Sequence, residues 1–156
     1  MGVLITLIVY IWWQYKYTLY TGMSLLIILI SFLLGALVFF ASIVSPTVFK
    51  SIPLEQGSKF LRALFPKLFL FGSAISLISS LIAYSVNFAV FILLVTSASL
   101  FLVNRNVLTP KINDFRDKEL EGNKEAGKMF SKLHHLSVGL FLVNLALLIT
   151  SLIILI

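Results

Sequence analysis

The stretch MSLLIILISFLLGALVFFASIVSPTVF, residues 23–49, contains 27 residues and no charged side chain. A helix that crosses the hydrocarbon core of a bilayer needs about 20 predominantly apolar residues, so this stretch predicts a transmembrane helix. Three further apolar runs occupy residues 64–84, 88–103 and 133–156, and the second and third spans are joined by the tight hairpin YSVNF, residues 84–88. The pattern predicts an all-α integral membrane protein, built as an antiparallel bundle of four transmembrane helices.

The composition supports a membrane protein. Of the 156 residues, 60% are hydrophobic and 12% are charged, whereas soluble domains average about 45–50% apolar and about 25% charged residues. A soluble domain of this length has too little interior to bury four such runs. The chain has no cysteine, which excludes disulfides, iron–sulfur clusters, thiolate zinc sites and cysteine nucleophiles.

The positive charge is concentrated in two connectors. Residues 50–67 and 105–132 hold eleven of the twelve Lys and Arg residues, and Lys16 is the twelfth. The positive-inside rule predicts a multi-pass protein of the inner (plasma) membrane with both connectors in the cytoplasm and the C-terminus outside. In a membrane protein the placement of charge matters more than the net charge of +6, so we predict anionic inner-leaflet lipids as partners and no nucleic acid.

Residues 1–22 differ from the four spans. Their apolar run of about 13 residues is short for a span, and they lack the basic start and cleavage site of a secretory signal. Six aromatic residues suit the membrane interface: Tyr10, Trp12, Trp13, Tyr15, Tyr17 and Tyr20. We predict an N-terminal interfacial segment; a short extra helix and a start codon assigned upstream of Met23 are the alternatives.

Small residues predict how the spans pack, because helices in lipid associate through close contact. The candidates are Ser31, Gly35, Ser42 and Ser45 in span one, Gly72, Ser76, Ser79 and Ala83 in span two, and Ala89, Thr96 and Ser99 in span three. Tight packing of the four helices is favoured, and a small-residue groove that binds a lipid or drug is the alternative. A homo-oligomer is also left open. No charged residue lies in the middle of a span, which counts against proton-coupled transport.

The stretch VNRNVLTPKINDFRD, residues 103–117, prolongs span three beyond the membrane. Asn106, Pro110, Asn113 and Asp117 fall on one helical stripe. Pro110 is expected to kink the helix and free a carbonyl near residue 106, and Asn113 and Asp117 are the candidates to satisfy groups at the break.

The following stretch EGNKEAGK, residues 121–128, is predicted to be a loop with Gly122 and Gly127 as helix breakers. Lys124, Lys128 and Lys132 recur every four residues, which would direct three ammonium groups towards one surface. We predict that they meet anionic lipid headgroups; a solvated helix face is the alternative.

The stretch FSKLHHLS, residues 130–137, holds both histidines of the chain. His134 shares its stripe with Ser137 and Asn144, so we predict that it points into the bundle towards Asn113 and Asp117. A structural hydrogen-bond cluster is favoured, and no cofactor is predicted. The alternatives are a haem b ligand, for which no other span supplies a histidine, and a catalytic or metal role, for which no His-Glu-x-x-His motif exists. The predicted polar site comprises His134, Asn113, Asp117, Asn106, Pro110, Asn104, Ser137 and Asn144.

Four motifs carry a family resemblance: GALVFFASIVSPTVFKSI, LRALFPKLF, VNRNVLTPKINDFRD and FSKLHHLSVGLFLVN. Together, over residues 34–144, they resemble the transmembrane protein 205-like family, a bacterial membrane family with a domain of unknown function. The matching positions are Gly35, Phe39, Pro46, Phe49, Phe65, Pro66, Asn104, Pro110, Asn113, Asp117, His134 and Ser137. The resemblance implies a four-helix membrane protein without an agreed activity, and it supplies no catalytic residues.

The sequence therefore favours a non-enzymatic protein that acts as a scaffold or binds lipid or a small amphiphile through a polar cluster at its cytoplasmic end. Two alternatives belong to other classes. One is a haem-binding membrane protein that uses His134, and the other is an interfacial enzyme that acts on lipid or porphyrin.

Overall fold

A computed structural model describes the backbone of residues 2–156 and the side chains from Thr6 onwards. Its helices are α1 (Gly2–Phe39), π1 (Phe40–Val44), α2 (Ser45–Ser51), α3 (Leu54–Val86), α4 (Phe88–Val103), π2 (Asn104–Leu108), α5 (Thr109–Leu120) and α6 (Lys124–Leu155). The two π-helical segments are continuous with the α-helices on either side. The chain therefore forms four long rods.

Each rod is long and apolar enough to cross a membrane. Contacts join α1 to α3, α3 to α4, α4 to α6 and α6 to α1, so the rods form a square in which every neighbouring pair is antiparallel. Within the described residues, α1 lies diagonally across from α4, and α3 diagonally across from α6. This arrangement confirms the predicted all-α membrane bundle of four helices.

The core combines large residues of α1 with small residues of α3. Leu26, Ile30, Leu33 and Leu37 of α1 follow one another at steps of four, three and four, and all four are fully buried. On α3, the predicted small residues Gly72, Ser76, Ser79 and Ala83 are all buried. The prediction for span two is therefore confirmed.

The predicted small-residue faces of spans one and three are wrong. Ser31, Gly35, Ser42, Ala89, Thr96 and Ser99 are all exposed on the outside of the bundle, and Ser45 is half-buried. Ser97 and Ala98 are the small residues that α4 buries. Both spans are apolar on every side, so hydrophobicity does not fix their rotation, and the fit against neighbouring helices decides it.

The connections are short. Asn87 alone separates α3 from α4, and its Oδ1 accepts hydrogen bonds from the N–H groups of Ala89 and Val90 at 3.0 and 3.2 Å, which caps α4. The turn between α5 and α6 is limited to residues 121–123, where Gly122 has a φ of +99°. Gly127 does not break the helix, which corrects the predicted loop over residues 121–128.

Gly127 instead permits close contact between α5 and α6. It lies in the first turns of α6, where a Cβ atom would come within 2.8 Å of Glu119 Oε1. The sequence pattern of glycines alone does not distinguish a loop from a close helix contact.

Both π-helical segments precede a proline. The N–H of Ser45 bonds to Phe40 O, and the N–H of Thr109 bonds to Asn104 O, each across five residues. Pro46 and Pro110 follow directly. Proline lacks an N–H, and its ring crowds the carbonyl four residues earlier, so a wider turn relieves the clash. The disturbance predicted at Pro110 therefore takes the form of a π-turn, and the same turn precedes Pro46.

The beginning of α1 extends beyond the bundle. A Cβ atom on Gly22 would lie 3.0 Å from a methyl carbon of Val86, the last residue of α3, so the bundle ends at this level. Residues 6–21 precede it and form what we call the N-terminal overhang. Since α1 is continuous from Gly2 to Phe39, the structure does not separate residues 2–22 as a helix of their own. Their position relative to a bilayer stays a prediction.

Candidate functional site at the basic end of the bundle

Both basic connectors lie at one end of the bundle, which we call the basic end. It comprises α2, the first turns of α3, π2, α5 and the first turns of α6. Polar side chains from different rods meet here. The fold, and not proximity in the sequence, brings these groups together.

Arg62 of α3 is bound by α5. Its Nε donates to Asn113 Oδ1 at 3.1 Å, its Nη2 to Asn113 O at 2.7 Å, and its Nη1 to Asp117 Oδ1 at 2.8 Å. The planar guanidinium group suits several acceptors on one helix face. Asn113 and Asp117 therefore tie α3 to α5, and do not satisfy the break at Pro110 as predicted. Thr109 Oγ1 donates to Asn104 O at 2.8 Å beside this break.

In the sequence, Arg62 is only one of the connector charges. The pair of acceptor residues on α5 is the sequence feature that could have predicted the role of Arg62. Asn113 and Asp117 lie one turn apart on the same face of α5, so a single multidentate donor from another rod can reach both.

Next to this contact lies an open cleft of about 390 Å³ between α3 and the rod of π2 and α5. We call it the Arg105 cleft. Its lining residues are Pro66, Arg105, Asn106, Thr109, Pro110 and Asn113. Of the predicted site residues, the fold thus brings Asn106, Pro110 and Asn113 together here.

Arg105 is the cation of this cleft. Its Nη1 donates to Asn106 Oδ1 at 3.0 Å, while its Nε is buried without a hydrogen-bond partner. Arg62 and Arg116, the other two arginines, pair with Asp117 and Glu119. Within the described part of the chain, Arg105 alone among the arginines has no carboxylate partner.

Asn104, Ser137 and Asn144 lie in the interior, away from the cleft. Asn104 Nδ2 donates to Ser137 O at 3.3 Å, and, two helical turns away, Ser97 Oγ donates to Asn144 Oδ1 at 2.7 Å. Asn104 and Asn144 are fully buried. These bonds connect the α4–π2 rod to α6, so they hold the bundle together.

His134 does not point into the bundle. Its side chain is exposed and stacks on Phe130, with ring centroids 5.8 Å apart. Among the described residues, no hydrogen bond joins it to Asn113 or Asp117, whose acceptors bind Arg62. The predicted direction of His134 is therefore wrong. Helical spacing determines which residues of α6 lie next to His134, but it does not determine the rotation of α6 in the bundle.

His135 is also exposed. Its Nδ1 lies 2.6 Å from Ser131 O, so the ring donates to the backbone of its own helix. Among residues 6–156, no three His, Asp or Glu side chains come together as a set that could hold a metal ion. The absorption spectrum of the purified protein would show whether it binds haem.

Lys124, Lys128 and Lys132 are exposed on the first turns of α6. Lys128 pairs with Glu125 at 2.7 Å, and no salt bridge is found for Lys124 or Lys132 in the described part of the chain. Lys124 and Lys132 therefore present ammonium groups without a carboxylate partner at this surface. Their contact with lipid headgroups stays a prediction.

Part of the chain matches a known protein family. Residues 28–121 match the family described as a domain of unknown function, DUF4149, and this range is more than half of the chain. The protein belongs to the DUF4149 family. The matched range of this DUF4149 protein includes Arg62 and all residues of the Arg105 cleft, whereas the overhang and the whole of α6 lie outside it. Comparison with curated proteins and with solved structures gave no match.

Proposed function

We propose that this protein is non-enzymatic and binds the anionic headgroup of a lipid or small amphiphile in the Arg105 cleft. The observation that carries the proposal is an arginine without a carboxylate partner in an open cleft. The cleft lies directly after Val103, where the apolar part of the third rod ends. The phosphate group of a lipid lies at this depth when the acyl chains of that lipid lie in the bilayer.

The chemistry of the cleft suits a phosphate. Arg105 lines the cleft and carries a positive charge without a carboxylate partner among the described residues, and a hydrogen bond from its guanidinium group to an anionic oxygen in the cleft would contribute about 1.5–3 kcal/mol. The guanidinium fork matches the geometry of phosphate oxygens. Pro66 and Pro110 supply an apolar wall, against which the glycerol backbone and the first methylene groups of a lipid would pack.

The lysines on α6 support the same proposal. Basic residues near an anionic leaflet each contribute roughly 1 kcal/mol of attraction. Lys124 and Lys132 would add such an attraction at the basic end without forming a defined site. We propose that they concentrate anionic lipid near the cleft, and that Arg105 holds a single headgroup.

We also propose the finer assignment to the transmembrane protein 205-like family. Its support is the order of four motifs along the chain, three of which begin and end within residues 28–121. The family supplies no activity, so the lipid proposal rests on the cleft alone.

The test compares Arg105→Gln with Arg116→Gln, which removes the same charge but lies outside the cleft. Phosphatidylglycerol is added to the purified protein in mild neutral detergent, and the midpoint of thermal unfolding is followed against lipid concentration. A hydrogen bond to a charged group contributes about 1.5–3 kcal/mol, so Arg105→Gln should weaken the apparent affinity about tenfold or more. Arg116→Gln should change it little.

Two further additions separate the sources of the phosphate. Inorganic phosphate tests a free anion, and phosphatidylcholine tests a lipid without net charge. Stabilisation by phosphatidylglycerol alone supports the proposal. Equal stabilisation of the wild-type protein and Arg105→Gln would refute it.

A further inference from the structure

The N-terminal overhang is an apolar helix with nothing packed on most of its length. Residues 6–18 are all exposed, and the bundle ends at the level of Gly22. At 1.5 Å per residue, residues 6–21 extend about 24 Å beyond it. The apolar part of α3, residues 64–84, is already about 30 Å long, which matches the hydrocarbon core. A straight α1 would therefore place the overhang in water.

The side chains of the overhang do not suit water. Its six aromatic residues are between 55% and 65% exposed: Tyr10, Trp12, Trp13, Tyr15, Tyr17 and Tyr20. They are distributed around the helix, so no single apolar stripe exists for one partner helix to cover. Tryptophan and tyrosine combine a large apolar ring with a polar atom and favour the headgroup level of a bilayer.

Lys16 is the one charged residue among residues 6–21. Its Nζ lies 4.2 Å from the centroid of the Trp12 ring. A lysine at the interface keeps its ammonium group among the headgroups while its methylene groups lie against apolar surface. The same charge at the centre of a bilayer is unfavourable, which argues against the overhang as an additional span.

We infer that residues 6–21 bind a lipid surface, namely the bilayer interface at the end of the bundle opposite the basic end. In a membrane, α1 bends next to Gly22, where it leaves the bundle, and the overhang lies along the headgroup level. This surface is independent of the Arg105 cleft, which lies at the other end of the molecule.

The chain provides its own probe, because Trp12 and Trp13 are its two tryptophans. The full-length protein is reconstituted in phosphatidylcholine vesicles, and its tryptophan fluorescence is measured. Acrylamide in the buffer tests exposure to water. Lipids brominated near the headgroup or near the end of the acyl chain test depth.

We expect emission at shorter wavelength than that of tryptophan amide in buffer, weak quenching by acrylamide, and stronger quenching by bromine near the headgroup than by bromine near the chain end. Two control variants calibrate the depth in a Trp12→Phe, Trp13→Phe background. Leu142→Trp places the probe on an exposed, lipid-facing position of α6. Leu120→Trp places it at the polar turn beside Glu121.

Three outcomes would overturn the inference. Strong acrylamide quenching with little effect of either brominated lipid would place the overhang in water. Preferential quenching by bromine near the chain end would make it an additional span. Protection from all three quenchers that disappears as the protein is diluted in lipid would indicate pairing with a second copy of the chain.

Discussion

Arg62 and Arg105 show how differently two arginines of one region behave. Arg62 has three acceptors on α5, so its charge is used within the fold. Arg105 has one neutral acceptor on its neighbouring residue, so its charge remains available. At the scale of single residues, the partner of a side chain decides its role, and the residue type alone does not.

The histidines lead to a prediction about stability. His134→Ala and His135→Ala should each change the free energy of unfolding by no more than about 0.5 kcal/mol, because both side chains are exposed. Asn144→Ala should cost about 1–2 kcal/mol, because it removes the buried acceptor of Ser97 within the bundle. Thermal unfolding of the three variants in the same detergent measures these differences.

His135→Ala is the matched control for His134→Ala, since it removes a neighbouring exposed ring of the same size. A loss for His134→Ala as large as that for Asn144→Ala would contradict the exposed position of His134. It would restore the inward direction expected from the sequence.

The third rod shows what proline does to a helical element. At Pro110 the helix continues through π2 into α5, and Thr109 supplies both its N–H and its hydroxyl group to Asn104 O. The break therefore does not end the rod, which carries Asn113 and Asp117 out to Arg62. Pro110 predicts the position of this disturbance, whereas Pro66 lies inside α3 without interrupting it. The course of the helix therefore depends on which groups take up the freed hydrogen bonds.

Gly72 sets the distance between α3 and α4. A Cβ atom there would lie 2.9 Å from two ring carbons of Phe101, which is itself fully buried. Gly72→Ala should therefore destabilise the protein by about 1–3 kcal/mol through overpacking. The midpoint of thermal unfolding in detergent, compared with that of the wild type, measures the effect.

Gly35→Ala is the matched control for Gly72→Ala. A Cβ atom at Gly35 would have no other atom within 4 Å, so the variant should be neutral or stabilised by up to about 1 kcal/mol through its higher helix propensity. Equal unfolding temperatures for the two variants would show that α3 and α4 are not in close contact at Gly72.

The whole molecule has one strongly basic end. The contact of Arg62 with Asp117 places the beginning of α3 and the turn between α5 and α6 together, as four spans require. The structure confirms that the two basic connectors share one end of the bundle. The side of the membrane that this end faces stays a prediction from the positive-inside rule.

The orientation can be measured with single cysteines, because the chain has none of its own. Glu121→Cys avoids Gly122 and its left-handed backbone, and Ile156→Cys marks the other end of α6. A maleimide that does not cross membranes should label Ile156→Cys in intact cells and Glu121→Cys only after permeabilisation. The reverse labelling pattern would place the basic end outside the cell. The Arg105 cleft would then not lie at the anionic inner leaflet, as the proposed function requires.

The sequence by itself determined the features that depend on local chemistry. Four runs of apolar residues specified four membrane helices, since hydrocarbon accommodates only backbone that satisfies its own hydrogen bonds. The hairpin at residues 84–88, the extension of span three to Asp117 and the position of the disturbance at Pro110 also followed from short stretches. The number of spans also predicted that both basic connectors lie at the same end of the bundle, because two spans separate them.

Only the tertiary structure decided which side of each helix faces the others. Helices that are apolar all round have no hydrophobic direction, so steric fit between neighbours set their rotation. That rotation turned Gly35 and His134 outwards and Ser97 inwards. It also joined Arg62 to α5, because the two partners lie 51 residues apart in the chain and no local pattern relates them.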